Sequence, residues 1–218
     1  MENNKELVIA VPKGRILKEL DPFFKKIGLI PEDDFYNKES RALKFATNHE
    51  NISIIRVRSF DVPTFVTFGG ADMGISGNDV LEEFDYDNLY SPIDLKIGYC
   101  RLSVAQPNDL GDDINSDGCS HVRIASKYPN LTKQYFENKG IGVDIIKLNG
   151  AMELAPMTGL SQRIVDLVST GKTLKENGLR EVDTILEISS RLIVNRTALK
   201  TRNEEIQYWI DKFEECVS

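Results

Sequence analysis

The stretch Arg163–Leu174 reads RIVDLVSTGKTL. An apolar run carrying one acid, Asp166, leads into a small, hydroxyl-rich turn, Ser169, Thr170, Gly171, Lys172 and Thr173, which opens a helix. Backbone amides at a helix N-terminus attract anions, hydroxyls add donors, and a glycine permits close approach. Such a turn suits a phosphomonoester, although ordinary helix capping uses the same residue types. The letters GKT invite comparison with a nucleotide-hydrolysing P-loop, but G-x-x-x-x-G-K-T requires glycine where Asp166 stands, so that chemistry is rejected. Just upstream, LNGAMELAPMTGL (148–160) sets Glu153 between Gly and Pro punctuation. Ionised carboxylates accept hydrogen bonds and cannot donate them, so Glu153 and Asp166 are acceptors awaiting hydroxyl donors.

A second group is cationic. VPKGRI (11–16) is a strand, a turn and a helix start bearing Lys13 and Arg15, a place where cations can face a ligand at the carboxyl ends of strands. Arginine offers bidentate phosphate contacts and lysine a mobile point charge, while an isolated KGR also fits a plain solvated helix start. Arg41, Arg56 and Arg58 read as solvated by the same argument, the last two sharing one strand face at period two. GGADMGISGNDVLEE (69–83) places Asp72 beside a short apolar core and an Asn-Asp pair suited to capping a helix over 80–84. His49 and His121 lie apart from any cysteine or acid cluster of ligand spacing, so no zinc site and no Ser-His-Asp order is expected.

These residues need a scaffold. LVIAV (7–11) and ISIIRV (52–57) are compact, β-branched runs of the kind buried in parallel sheets. Between them residues 16–27 carry apolar side chains at helical spacing and end at Gly28. Further strands are expected at 73–75, 97–105, 122–125, 143–148, 184–188 and 192–194. Helical patterns are expected at 60–68, 131–138, 160–168 and, amphipathically, 203–217. This alternation means an α/β protein with crossover helices. Pro107–Gly118, dense in turn formers and acids, reads as an exposed loop. The C-terminal helix following a strand suggests two lobes, the first over 1–95 plus 190–218 and the second over 96–189, with a ligand cleft between them.

At 218 residues and 41% apolar content the chain can bury a real core. Its 27 Lys and Arg against 34 Asp and Glu leave a charge of −7, which argues against a nucleic-acid partner, so anionic ligands must meet a few local cations. Cys100, Cys119 and Cys216 are odd in number and unpaired in spacing, as expected in a reducing cytoplasm. The apolar run 7–11 is too short for a signal or a membrane span.

The T-G-x-T turn with an acid a few residues ahead resembles the ribose-phosphate loop of phosphoribosyltransferases. Taken with VPKGRIL, SRALKF, RVRSFDVPTFV, GGADMGISGNDVLEE, CRLSVAQP, NGAMELAP and IVDLVSTGKTLKENGL in that order, the chain resembles the ATP phosphoribosyltransferases of histidine biosynthesis over about 7–195, in their short form. The resemblance implies a two-lobed fold like that of type II periplasmic binding proteins. It implies transfer of phosphoribosyl from phosphoribosyl pyrophosphate (PRPP) to N1 of ATP, with release of pyrophosphate. It further implies Mg²⁺ on the substrate phosphates, and a homodimer within a hetero-oligomer that includes a regulatory subunit related to histidyl-tRNA synthetase. The first lobe would face ATP and the second PRPP. Ser169–Thr173 would take the 5′-phosphate, Glu153 and Asp166 the ribose hydroxyls, Arg15 and Arg41 the departing pyrophosphate, and Lys13, Arg15 and Asp72 would face ATP. Two other readings share these residues: a phosphoribosyltransferase with a different acceptor base, and a non-catalytic nucleotide sensor of the same fold.

Overall fold

A computed structural model describes residues 6–37, 39–111 and 121–217. The chain forms two compact units, the first comprising 1–81, 85–98 and 189–218, the second 82–84 and 99–188.

Unit 1 is built on a six-stranded sheet. Its strands are β1 (Leu7–Pro12), β2 (Lys44–Ala46), β3 (Ile52–Val57), β4 (Met73–Gly77), β5 (Leu89–Asp94) and, from the returning chain, β11 (Ser190–Asn195), in the order β2-β3-β1-β4-β11-β5. β1 runs parallel to β3 and β4, whereas β11 runs antiparallel to β4 and β5. Side chains alternate across a strand, and β1 shows the consequence. Leu7, Ile9 and Val11 join the large core beneath α1 (Arg15–Ile27) and α8 (Asn203–Val217), while Val8 and Ala10 face a smaller cluster with Val62 and Val66 of α2 (Val62–Thr67). With both faces covered, β1 reads as a continuous apolar run. α7 (Arg196–Thr201) is capped by Asn195, whose Oδ1 accepts from the amides of Thr197 and Ala198.

α3 (Asn78–Phe84) begins after Gly77 with no side-chain cap, contrary to the expectation for its Asn-Asp pair. Asn78 instead clamps Ser189, accepting from its amide at 3.0 Å and donating its own amide to the Ser189 carbonyl at 3.1 Å. The last residues of α3 belong to unit 2. There the buried Glu83 accepts from the amides of Asn130 and Leu131, both at 3.0 Å, and so satisfies the first turn of α4 (Pro129–Asn138).

Unit 2 holds a five-stranded sheet of β6 (Cys100–Pro107), β7 (Val122–Ser126), β8 (Val143–Lys147), β9 (Arg163–Val168) and β10 (Leu179–Ile188), in the order β10-β6-β9-β7-β8. β7 lies parallel to β8 and β9, and β6 antiparallel to β9 and β10. The sheet corrects one expectation: 160–168 is not helical, because β9 occupies Arg163–Val168. The first half of β9, Arg163–Val165, is buried on both faces and so has no period-two signature, and Ile164, Val165 and Val168 also fit a helical stripe. Of the expected loop, 107–111 is described, Pro107 ending β6 and a turn following at 108–109; 112–118, with Cys119, lies outside the described residues.

Candidate active site

At the carboxyl end of β1 the chain turns through Gly14, whose φ of 108° lies in the region that favours glycine, and enters α1. Lys13 and Arg15 flank that turn and line a cavity of about 950 Å³, together with Lys18, Lys25 and Arg56. This is the upper range of small-molecule sites. Among the described residues its one lining acid, Asp21, is already engaged: Lys25 and then Tyr36 donate to it and hold its carboxyl below the usual range. Tyr36 lies at 2.7 Å from Asp21, and burial together with that carboxylate pushes its hydroxyl above the ordinary tyrosine range. Arg15 lies 3.7 Å from Glu19 of its own helix and donates to the Gly98 carbonyl at 3.3 Å. A half-exposed pair of this kind is worth at most about 1 kcal/mol, so a phosphate can outcompete it.

Arg41 is exposed in the coil that precedes β2. Its neighbour Ser40 lines the cavity, so the backbone bearing Arg41 runs along that rim. Arg56, expected to be solvated, is instead buried and reaches the same segment from β3.

In unit 2, Ile164 and Val168 of β9 join a core with Met152 and Ala155 of the segment that forms α5 (Leu154–Met157), and with Leu174 of α6 (Lys172–Glu176). Asp166 shares the face of Ile164 and Val168 by strand alternation. Packing of Met152 and Ala155 on that face brings Glu153 within electrostatic reach of it. Burial pushes the Asp166 carboxyl above the ordinary range; the Leu167 amide, donating at 2.8 Å, pulls it back, the Glu153 charge pushes it further up, and Lys127 opposes. Directly after β9 the chain turns through Ser169–Gly171, with Gly171 at φ 72° as the N-cap of α6. The Lys172 amide donates to the Thr170 hydroxyl at 3.4 Å, while the Lys172 ammonium lies along the helix, 3.7 Å from Glu176. Lys172 therefore brings a backbone donor to the turn more than a side-chain charge.

The model of the family described as ATP phosphoribosyltransferase matches residues 58–215. The chain belongs to the ATP phosphoribosyltransferase family. Among its relatives, the enzyme of that name from Rhizorhabdus wittichii is 57% identical over 212 residues, 97% of this chain and 96% of the relative. The one from Paramagnetospirillum magneticum is 58% identical, over 98% and 97% of the two chains. Among solved structures, the ATP phosphoribosyl transferase (HisG:HisZ) complex from Thermotoga maritima contains a chain 37% identical, with TM-score 0.81 over 97% of this chain and 98% of that one. The periplasmic aliphatic sulphonate binding protein SsuA from Escherichia coli, at 14% identity and TM-score 0.59, covers 97% of this chain and 72% of that one and shares the fold alone. The fold is therefore that of type II periplasmic binding proteins. The activity is that of a pentosyltransferase acting at the first step of histidine biosynthesis, joining phosphoribosyl from PRPP to N1 of ATP.

For an ATP phosphoribosyltransferase, the position of Asp72 is a correction to the sequence reading. Asp72 precedes β4 and exchanges hydrogen bonds with Val8, its carboxylate accepting from the Val8 amide at 2.9 Å and its amide donating to the Val8 carbonyl at 2.9 Å. It also pairs with Arg202 at 3.3 Å and is itself buried. It thus sits at the amino ends of β1 and β4, about 16 Å from Lys13 by a strand rise of roughly 3.3 Å per residue. It ties the sheet to the C-terminal helices and does not face the ATP-side cations. Conversely, Lys18 and Lys25 join the site beyond the sequence expectation, with a signal in the helical period: Arg15, Lys18, Asp21 and Lys25 recur on one polar face of α1. Lys127 had no such signal, since only tertiary packing brings it near Asp166.

Proposed function

We propose that the enzyme divides its substrates by charge. Unit 2 receives PRPP, with Ser169, Thr170, Gly171, Lys172 and Thr173 around the 5′-phosphate and Glu153 and Asp166 accepting from the ribose hydroxyls. Unit 1 receives ATP through Lys13 and Arg15, with Arg15 and Arg41 taking the charge of the departing pyrophosphate. The observation that carries this reading is the segregation of chemistry: acceptors gather at the end of β9 and cations around the first turn of α1.

The adenine N1 lone pair forms the new bond to the anomeric carbon while the bond from that carbon to the pyrophosphate oxygen breaks, and the electron pair leaves with pyrophosphate. N1 carries no proton to remove, so the reaction needs positioning and leaving-group stabilisation more than a general base. Arg15 and Arg41 supply cations where negative charge grows. Glu153 and Asp166 hold the ribose through hydrogen bonds that favour their ionised forms.

Mg²⁺ fits this arrangement only as a companion of the substrate phosphates. Among the described residues no group of three or more His, Cys, Asp or Glu forms a metal cage, and Mg²⁺ is commonly held by one or two carboxylates plus phosphate oxygens. When bound, it neutralises charge on the pyrophosphate.

We further propose a homodimer working within a hetero-oligomer that includes a regulatory subunit related to histidyl-tRNA synthetase, in the cytoplasm. The HisG:HisZ composition of the Thermotoga maritima complex supports the hetero-oligomer. No helix among the described residues is long and apolar enough to cross a membrane.

The test follows the absorbance of the N1-ribosylated adenine as the purified chain is mixed with ATP, PRPP and Mg²⁺, alone and with the regulatory subunit, beside Asp166→Ala. Signal growth that the variant loses is the expected result. Growth undiminished in Asp166→Ala would remove the ribose clamp from this reading.

A further inference from the structure

Arg56 is only 9% exposed, although a guanidinium is costly to bury unless its donors are satisfied. Its two terminal nitrogens are received by backbone carbonyls of one irregular segment, while its buried Nε has no hydrogen-bond partner. Nη1 donates to the Phe35 carbonyl at 2.8 Å, and Nη2 lies 3.4 Å from the carbonyls of both Ser40 and Ala42. The guanidinium carbon stands 4.8 Å from the centre of the Phe45 ring, which fixes the side chain from β2. The Arg56 amide adds a bond to the Leu43 carbonyl at 2.7 Å. Ser40 and Ala42 are the residues on either side of Arg41, so one nitrogen of Arg56 touches the carbonyls flanking it. From the outer side the Ser40 hydroxyl donates to Asp34 and accepts from the Ala42 amide at 3.1 Å.

A coil has no ladder of its own to satisfy its carbonyls. An apolar residue at 56 would fill the space and leave those carbonyls without this donor. A lysine would bring one point charge where the arginine fork reaches separated acceptors. Arg56 and Ser40 also line the cavity that Lys13 and Arg15 line, so the segment is fixed on the side that matters for the reaction.

We propose that Arg56 is a positioning residue for Arg41: by binding the carbonyls on both sides of it, Arg56 holds the backbone from which the Arg41 guanidinium meets the leaving pyrophosphate. This rests on the role given above to Arg41. Misplacement of a catalytic group by about 1 Å can cost on the order of a hundredfold in rate. Loosening the backbone while leaving Arg41 in place should therefore lower kcat about tenfold or more, with KM for ATP and PRPP little changed.

The experiment is a double-mutant cycle on the purified full chain, reading kcat, both KM values and Tm for wild type, Arg41→Ala, Arg56→Met and the double variant. Arg56→Lys, which keeps charge and stem, stands in if Arg56→Met does not fold. The expected result is a fall in kcat for Arg56→Met or Arg56→Lys that vanishes in the Arg41→Ala background, while Tm falls equally in both backgrounds. Losses in kcat that multiply, or a kcat unchanged by either Arg56 variant, would overturn the proposal. So would a rise in KM for ATP with kcat preserved, which would make Arg56 a direct ligand. If Arg41→Ala itself leaves kcat unchanged, the role of Arg41 fails and this proposal with it, an outcome distinct from failure of Arg56 alone.

Discussion

The two units prepare for anions by opposite means. Unit 1 gathers long cationic side chains around an open cavity whose acid among the described lining residues, Asp21, is already paired with Lys25 at 2.6 Å. Unit 2 places two carboxylates beside a turn whose donors are backbone amides and hydroxyls. Under the substrate assignment proposed above, the difference follows from the ligands. The pyrophosphate leaving PRPP carries charge that grows as its bond to the anomeric carbon breaks, and cations on long side chains can follow it. A ribose 5-phosphate presents two hydroxyl donors and one compact anion in fixed relation, and a turn with set dihedrals matches them. Unit 1 is thus adaptable and unit 2 preorganised, so damage should appear in kcat for the first and in PRPP affinity for the second.

The largest expected effect breaks the comparison on the unit 1 side. On the role proposed for Arg41, Arg41→Ala removes a charge-assisted contact that strengthens as the pyrophosphate leaves, and should lower kcat about a hundredfold, roughly 2.7 kcal/mol, with Tm unchanged. Steady-state kinetics and a thermal melt check both halves; an equal rise in KM with kcat preserved would make Arg41 a ground-state ligand. Next in size is a charged pair that belongs to neither substrate. Asp72→Ala leaves the Val8 amide without its carboxylate and Arg202 with Glu205, 2.7 Å away, and the Glu6 carbonyl at 3.2 Å. Because Arg202 keeps those partners, the loss should fall below the range for breaking an isolated buried pair, about 2 kcal/mol of stability. Denaturant unfolding measures it, and kcat/KM of the folded protein should stay within about twofold of wild type.

Much of this frame is legible in the residues. β1, β3, α1 and α8 stand where the apolar runs and helical spacing put them, because each is long or strongly periodic. β9 departs from the helical expectation for a physical reason: a central strand whose first residues are buried on both faces loses the alternation that distinguishes strands. The side-chain errors share another cause. Asp72 pairs with Arg202, 130 residues away, and Arg56 binds carbonyls of a coil with no pattern of its own. Statistics that place arginine at the surface describe the average site, and neither partner is visible from local spacing. The polar face of α1 was readable and needed only the helical period applied to its charges as well as to its core.

The smallest expected effect sharpens the comparison from the unit 2 side and turns on the sign of a stability change. Burial raises the Asp166 carboxyl above the ordinary range, with Glu153 adding to the rise. The folded chain thus binds that proton more tightly than the unfolded chain does. Between the unfolded value, about 3.9 for aspartate, and the raised folded one, stability falls as pH rises, and above that window the whole cost is present. Asp166→Asn keeps an oxygen to accept from the Leu167 amide and removes the buried charge. It should therefore raise Tm by a small amount at neutral pH, an advantage that shrinks on acidification through the window. The same variant loses an ionised acceptor for ribose, so its KM for PRPP should rise, and wild-type KM for PRPP should itself climb as acid neutralises Asp166. Melts and PRPP titrations across pH read both. A variant less stable than wild type at neutral pH would mean that Asp166 holds unit 2 together, whereas greater stability with weaker PRPP binding is the signature of a carboxylate kept at a folding cost for its ligand.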